Sequence, residues 1–102
     1  MSNLVGTQVI VRSNVAGVHA GIVEAFDAGT QTITLIKARR LWRIFTRDQT
    51  GSISDVAAHG LVPGKEHQIG AELPRVTIVN PPGLEIAEMT PDAAESVRAW
   101  GM

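Results

Sequence analysis

Eight consecutive residues, Ala38 to Phe45 (A-R-R-L-W-R-I-F), hold three arginines and two of the chain's four aromatic side chains. A guanidinium binds phosphate through paired N–H donors and stacks on flat rings, while an indole or phenyl face stacks a nucleobase. Arg39, Arg40 and Arg43 are therefore candidates to hold phosphates, and Trp42 or Phe45 to stack a base. The same run also suits an ordinary strand with Trp42 in the core and solvated arginines that block strand-to-strand aggregation. In that case truncating Trp42 would cost about 3–5 kcal/mol and unfold the protein.

A second stretch with chemical content is A-G-V-H-A-G, residues 16 to 21. Glycines let a backbone approach a ligand closely and present its N–H groups, so Gly17 and His19 are candidates for the rim of an anion site. The stretch lacks the G-x-x-x-x-G-K-[ST] pattern and the full dinucleotide fingerprint, and a plain turn with a surface histidine fits it as well. His19, His59 and His67 match no helix-borne metal pair, and with no cysteine in the chain no metal site and no cofactor are expected. Ser52 and Ser54 lack a G-x-S-x-G context, and no pair of carboxylates stands apart from the solvent-facing ones. The chain is expected not to be an enzyme.

These residues sit in a chain of 102, which implies a single domain over 1–102 able to bury a core without metals or disulfides. Its apolar fraction of 44% and charged fraction of 19% are those of globular proteins, not disordered ones. No apolar run reaches the roughly 20 residues of a membrane span, and M-S-N-L-V-G-T-Q lacks the features of a signal peptide. A cytoplasmic protein without a membrane partner is expected. The net charge of −1 argues against general affinity for nucleic acid. Five of the nine basic residues nevertheless fall between Lys37 and Arg47, and past residue 80 the balance turns acidic with Glu85, Glu88, Asp92 and Glu95. Such sign asymmetry suits docking between copies of the chain, so a homo-oligomer is expected.

The elements that would position these groups follow from periodicity and punctuation. T-Q-V-I-V-R (7–12) predicts a strand, S-N-V-A-G-V-H-A-G a returning loop, and G-I-V-E-A-F (21–26) a second strand. D-A-G-T predicts a hairpin loop with Gly29 left-handed, leading into Q-T-I-T-L-I-K-A as a third strand. Ser52 or Ser54 caps a short helix that stops at Gly60, and L-V-P-G-K-E-H-Q-I-G reads as a loop. P-R-V-T-I-V-N and L-E-I-A-E-M predict two more strands around the turn N-P-P-G. Thr90-Pro91 opens a C-terminal helix running to Trp100. The fold class is α+β: a small bent antiparallel β-sheet or an SH3-like barrel, with a short middle helix and a C-terminal helix.

The third strand contains a conflict. Counted by twos, Ile33 and Leu35 share a face with Lys37 and Arg39, which would load the core with cations. A bulge between Ile36 and Ala38 would resolve it by turning every later side chain over. Arg40, Trp42 and Ile44 would then lie inside, and Arg39, Leu41, Arg43 and Phe45 outside.

Four pieces, V-I-V-R-S-N-V-A-G-V-H-A-G (9–21), A-R-R-L-W (38–42), S-I-S-D-V-A-A-H-G (52–60) and L-E-I-A-E-M-T-P-D-A-A-E-S-V (84–97), together resemble a family of small bacteriophage and prophage proteins carried as a domain of unknown function. Its most specific elements are A-G-V-H-x-G and A-R-R-[IL]-W. The resemblance implies a small accessory phage protein working in the host bacterial cytoplasm. By functional analogy with nucleotide sponges, the expected role is non-catalytic binding of a small anionic nucleotide-type ligand, with sequestration of a cyclic nucleotide or ADP-ribose-type signal of antiviral defence. Two alternatives stay open: a protein–protein module that inhibits a host protein or joins a phage particle, and a single-stranded nucleic-acid binder.

Overall fold

The computed structural model describes residues 4–13, 17–47, 52–79 and 83–100. Its strands are β1 (Gln8–Ser13), β2 (Gly17–Asp27), β3 (Thr32–Arg43), β4 (Gln68–Ile69), β5 (Leu73–Ile78) and β6 (Glu85–Glu88); its helices are α1 (Ile53–His59) and α2 (Pro91–Arg98). All pairings are antiparallel, in the order β4-β3-β2-β1-β6, with β5 beside the first half of β3. The α+β class with a bent sheet, a middle helix and a C-terminal helix is the observed architecture. Of the two forms expected, the strand order is that of the open sheet.

Both faces of the sheet are packed, and by different partners. On one face Ile10, Ala20 and Leu41 meet Ile53, Val56 and Ala57 of α1 and Val97 of α2. On the other, Val9, Val11, Val23, Ile33, Leu35, Ala38 and Ile78 form a cluster drawn from strands alone, with Leu4 and Leu84 at its margin. Side chains at or near zero exposure with no helix above them require the sheet to curl over its own face.

The expected bulge is present. Ile36 stands opposite Ile22 and Arg39 opposite Ala20, so β3 uses three residues where β2 uses two. Lys37 takes the left-handed φ of 51° at that point. Gly21 lies opposite, where an added Cβ would stand 3.0 Å from the Ile36 carbonyl oxygen, so the kink requires a residue without a side chain. A second irregularity was not foreseen: Leu41 pairs with Ile69 and Arg43 with Gln68, which leaves Trp42 as an extra residue against β4.

Other expectations need correction. The segment from Gly17 to Gly21 is strand, not loop, because it pairs along β1 from Ser13 to Val9; residues 14–16 lie outside the described residues. In the β2–β3 turn Gln31, not Gly29, takes the positive φ of 54°. Gly29 instead donates to Asp27 Oδ1 at 2.9 Å, a side-chain turn that removes the need for a left-handed glycine there. The Q-I part of the 61–70 loop is β4, and β5 begins at Leu73 rather than Pro74. α2 ends at Arg98, short of Trp100, and the N-P-P part of the turn at 80–83 lies outside the described residues.

The helix signals hold. Ser52 Oγ accepts from the Asp55 N–H at 3.2 Å, Gly60 ends α1 with φ 75°, and Thr90 Oγ1 accepts from Ala93 N–H at 3.2 Å ahead of Pro91. No helix among the described residues is long and apolar enough to cross a membrane.

Candidate ligand-binding face

The two irregularities of β3 decide which side chains share a face. The first turns the strand over, so that Ala38 stays with Ile33 and Leu35 on the side away from the helices while Leu41 joins the helix side. The second, at Trp42, turns it again. Ile44 packs with Leu41 in the helix-side cluster although they are three residues apart. By alternation, Arg40 and Trp42 project from the side away from the helices, and the extra residue sets Arg43 beside Trp42 rather than with Leu41. Phe45 follows the end of the strand, its ring 5.7 Å from that of His67.

On that side Arg40 and Trp42 form a pair. The guanidinium carbon lies 5.4 Å from the indole centroid, and Trp42 is 61% exposed. The ring rests on Gly70, where an added Cβ would stand 3.1 Å from Trp42 Cζ3. Trp42 is thus a surface residue, as the binding-face reading requires and not the core residue of the alternative, and its truncation is expected to cost about 0.5 kcal/mol or less. The flip foreseen from the sequence occurred, but Arg40 and Trp42 lie beyond the limit of the curled core.

Gly17 and His19 join this pair. His19 stands opposite Arg40 across the β2–β3 ladder and opposite Val11 on β1, which places it on the same face. Arg40 reaches over Gly17, where a Cβ would lie 3.2 Å from Arg40 Nη2. His19 is buried to 8% exposure, not part of an exposed loop rim, and among the described residues its Nδ1 has no hydrogen-bond partner. Burial, and secondarily the Arg40 charge, hold its pKa below the usual 6.5, so the ring is neutral at pH 7.

A second cation–aromatic group follows. Arg43 lies 5.3 Å and Lys65 5.8 Å from the Phe45 centroid. These residues line an open groove with Gly64, Glu66, His67 and Gln68. His67 secures its floor: the Phe45 N–H donates to His67 Nδ1 at 3.0 Å, so Nε2 carries the proton toward the Val62 carbonyl at 2.9 Å. Lys65 and Gly70 were missed in the sequence. The tight turn Pro63-Gly64 is the signal that would have drawn attention to Lys65.

Arg39 does not belong to this face. It is 8% exposed and turned toward α2, where Nη1 donates to the carbonyls of Val97 (2.9 Å), Arg98 (3.3 Å) and Trp100 (2.7 Å), and Nε to that of Gly70 (2.8 Å). The expectation that it holds a phosphate is corrected: its donors satisfy the open C-terminal carbonyls of a helix, which a guanidinium fork does well.

Electrostatics separates the remaining cations. Arg12 pairs with Glu85, Arg75 with Glu24 through two bonds of 2.7 and 2.8 Å, and Arg98 with Glu95. The bond from Arg75 holds the Glu24 carboxyl below its ordinary pKa. Among the described residues, Arg40, Arg43 and Lys65 pair with no carboxylate; each lies against an aromatic ring instead. Such a surface offers guanidinium and ammonium donors to an anion and a flat face to a ring. Among the same residues, no three His, Asp or Glu side chains converge as metal ligands would.

A small α+β domain with a bent antiparallel sheet and a cationic, aromatic outer face is the class that fold and site define. The chain matches the model of the Domain of unknown function (DUF6948) over residues 6–97, and it belongs to that family. Neither a curated protein nor a solved structure matches it.

Proposed function

We propose that this protein is a non-catalytic binder of an anionic nucleotide-type ligand, held on the face formed by Arg40, Trp42, Arg43 and Phe45, with Gly17 and His19 beneath Arg40. The observation that carries the reading is the sorting of charge among the described residues: Arg12, Arg75 and Arg98 are met by carboxylates and Arg39 by backbone carbonyls, whereas Arg40, Arg43 and Lys65 are left to aromatic rings. Left without carboxylate partners, these cations keep donors free for phosphate, and exposed indole supplies the stacking surface. The phage resemblance of the sequence motifs supplies the setting: a phage accessory protein in the host cytoplasm that sequesters a cyclic nucleotide or ADP-ribose-type defence signal, as a homo-oligomer. No group in this role has to react.

A protein-contact role has its own observation. Among the described residues β5 pairs only with β3, and it exposes Leu73 (48%) at one end with Val79 (71%) just past the other, apolar side chains beside a strand edge open to a partner strand.

Thermal unfolding against cyclic nucleotides, ADP-ribose isomers and short oligonucleotides tests the ligand reading. A ligand at 100 times its dissociation constant adds about 2.7 kcal/mol, a shift on the order of 10 °C in a domain this size. A shift that Arg40→Ala abolishes supports the reading; no shift with any compound turns attention to the β5 edge and a protein partner.

A further inference from the structure

The face carries two cation–ring groups rather than one. Arg40 with Trp42 is the first, Arg43 and Lys65 with Phe45 the second, and the pairing shift at Trp42 sets Arg43 beside Trp42, next to the first group along the chain. Without that extra residue Arg43 would project with Leu41 toward the helices. Two residues of strand, Leu41 and Trp42, lie between Arg40 and Arg43, a backbone span of roughly 10 Å at most. A mononucleotide offers one base and one phosphate cluster, and would leave one ring and its cations unused.

The second group is built rather than incidental. Phe45 is fixed through its backbone by His67, whose ring lies perpendicular to that of Trp100 with centroids 4.8 Å apart, so the Phe45 ring sits on an anchored segment. At the mouth of the groove Gly64, with φ 77°, has nothing within 4 Å of where a Cβ would stand. Lys65 Nζ lies 5.8 Å from the Phe45 centroid beside this open turn.

Building on the nucleotide reading above, we propose that the face takes a ligand of two linked nucleotide units. One base lies on Trp42 with phosphate on Arg40; the other lies against Phe45 with phosphate between Arg43 and Lys65. Such a ligand is a linear or cyclic dinucleotide, and stacking both bases gives it an advantage over its halves by making the second contact intramolecular.

Calorimetric titration of the purified protein with AMP, GMP, linear and cyclic dinucleotides of the same bases, and a dodecathymidylate tests this. The expected result is a dinucleotide bound at least tenfold tighter than either mononucleotide. The double variant Arg43→Ala/Lys65→Ala, made at exposed side chains, should reduce that affinity to the mononucleotide level; a variant that keeps the tenfold dinucleotide advantage would overturn the two-unit inference. Linear and cyclic forms compared side by side show which linkage the spacing prefers. Equal affinities for mononucleotide and dinucleotide would overturn the two-unit inference and leave the nucleotide reading standing. So would tightest binding by the dodecamer with steep salt dependence, which marks a single-strand binder. Binding of none of the compounds would overturn both.

Discussion

Arg39 Nε and the carbonyl oxygen of Gly70 lie 2.8 Å apart, and the Gly70 N–H in turn donates to the Arg40 carbonyl at 2.7 Å. The Trp42 ring rests on that same glycine. The buried arginine thus fixes the platform on which the exposed cation–indole pair stands, and it ties that platform to the last turn of α2. Two adjacent arginines, alike in sequence, hold the fold and face the solvent respectively.

Replacing Arg39 should therefore act on stability first. Arg39→Ala removes its hydrogen bonds to the carbonyls of Gly70, Val97, Arg98 and Trp100 and leaves a void where the guanidinium lay, and is expected to cost about 2–4 kcal/mol. Arg39→Lys recovers only part, because one ammonium cannot reach both Gly70 and the end of α2. Urea unfolding of the three proteins checks this; an alanine variant within about 0.5 kcal/mol of the parent would contradict the anchor role.

Lys37 pays for the first bulge with a left-handed backbone, φ 51°. A non-glycine residue there costs roughly 1–2 kcal/mol, while glycine adds about 0.4–1 kcal/mol through the unfolded chain. Lys37→Gly is expected to leave the protein as stable as the parent or slightly more so, and Lys37→Val to destabilise it by more than about 1 kcal/mol. Thermal unfolding should rank them Gly, Lys, Val; a valine variant equal to the parent would show that the bulge is not held.

His19 should make stability depend on pH. Its folded pKa lies below the unfolded 6.5, chiefly from burial and then from Arg40, so below pH 6.5 the unfolded chain binds more protons. Stability is complete above about pH 6.5, falls as pH drops through the window down to the folded pKa, and levels off below it. His19→Gln should remove that component of the slope. Arg40→Ala should raise the histidine pKa without restoring 6.5, since burial is the larger cause; titration of the imidazole resonances by NMR distinguishes these. A His19 titrating at 6.5 in the folded parent would sink the assignment.

Much of this fold was legible because its signals are local. Ser52 and Gly60 delimit α1, Thr90-Pro91 opens α2, and the clash of Ile33 and Leu35 with Lys37 and Arg39 betrayed the first bulge. What the sequence hid was tertiary. Which face of β3 at residues 39–41 the helices cover is set by Ile53, Val56 and Val97 from distant segments, and it reverses the fates of Arg39 and Arg40. The second bulge depends on Ile69 and Gln68, a two-residue strand with no periodic signature, and His19 looked like a loop residue because glycines surround it. The cation–aromatic content of the site was visible; its geometry was not.

The most direct test of the central claim is two-dimensional NMR of isotope-labelled protein titrated with the nucleotide that gives the largest thermal shift, or with a cyclic dinucleotide and ADP-ribose if none does. The expected result is saturable movement of the Trp42 indole N–H, the Arg40 and Arg43 Nε–H signals and the amides of Gly17 and Gly70, with Trp100 less affected. Spectra unchanged at millimolar ligand, or changes confined to the β5 edge around Leu73 and Val79, would contradict a nucleotide site on this face.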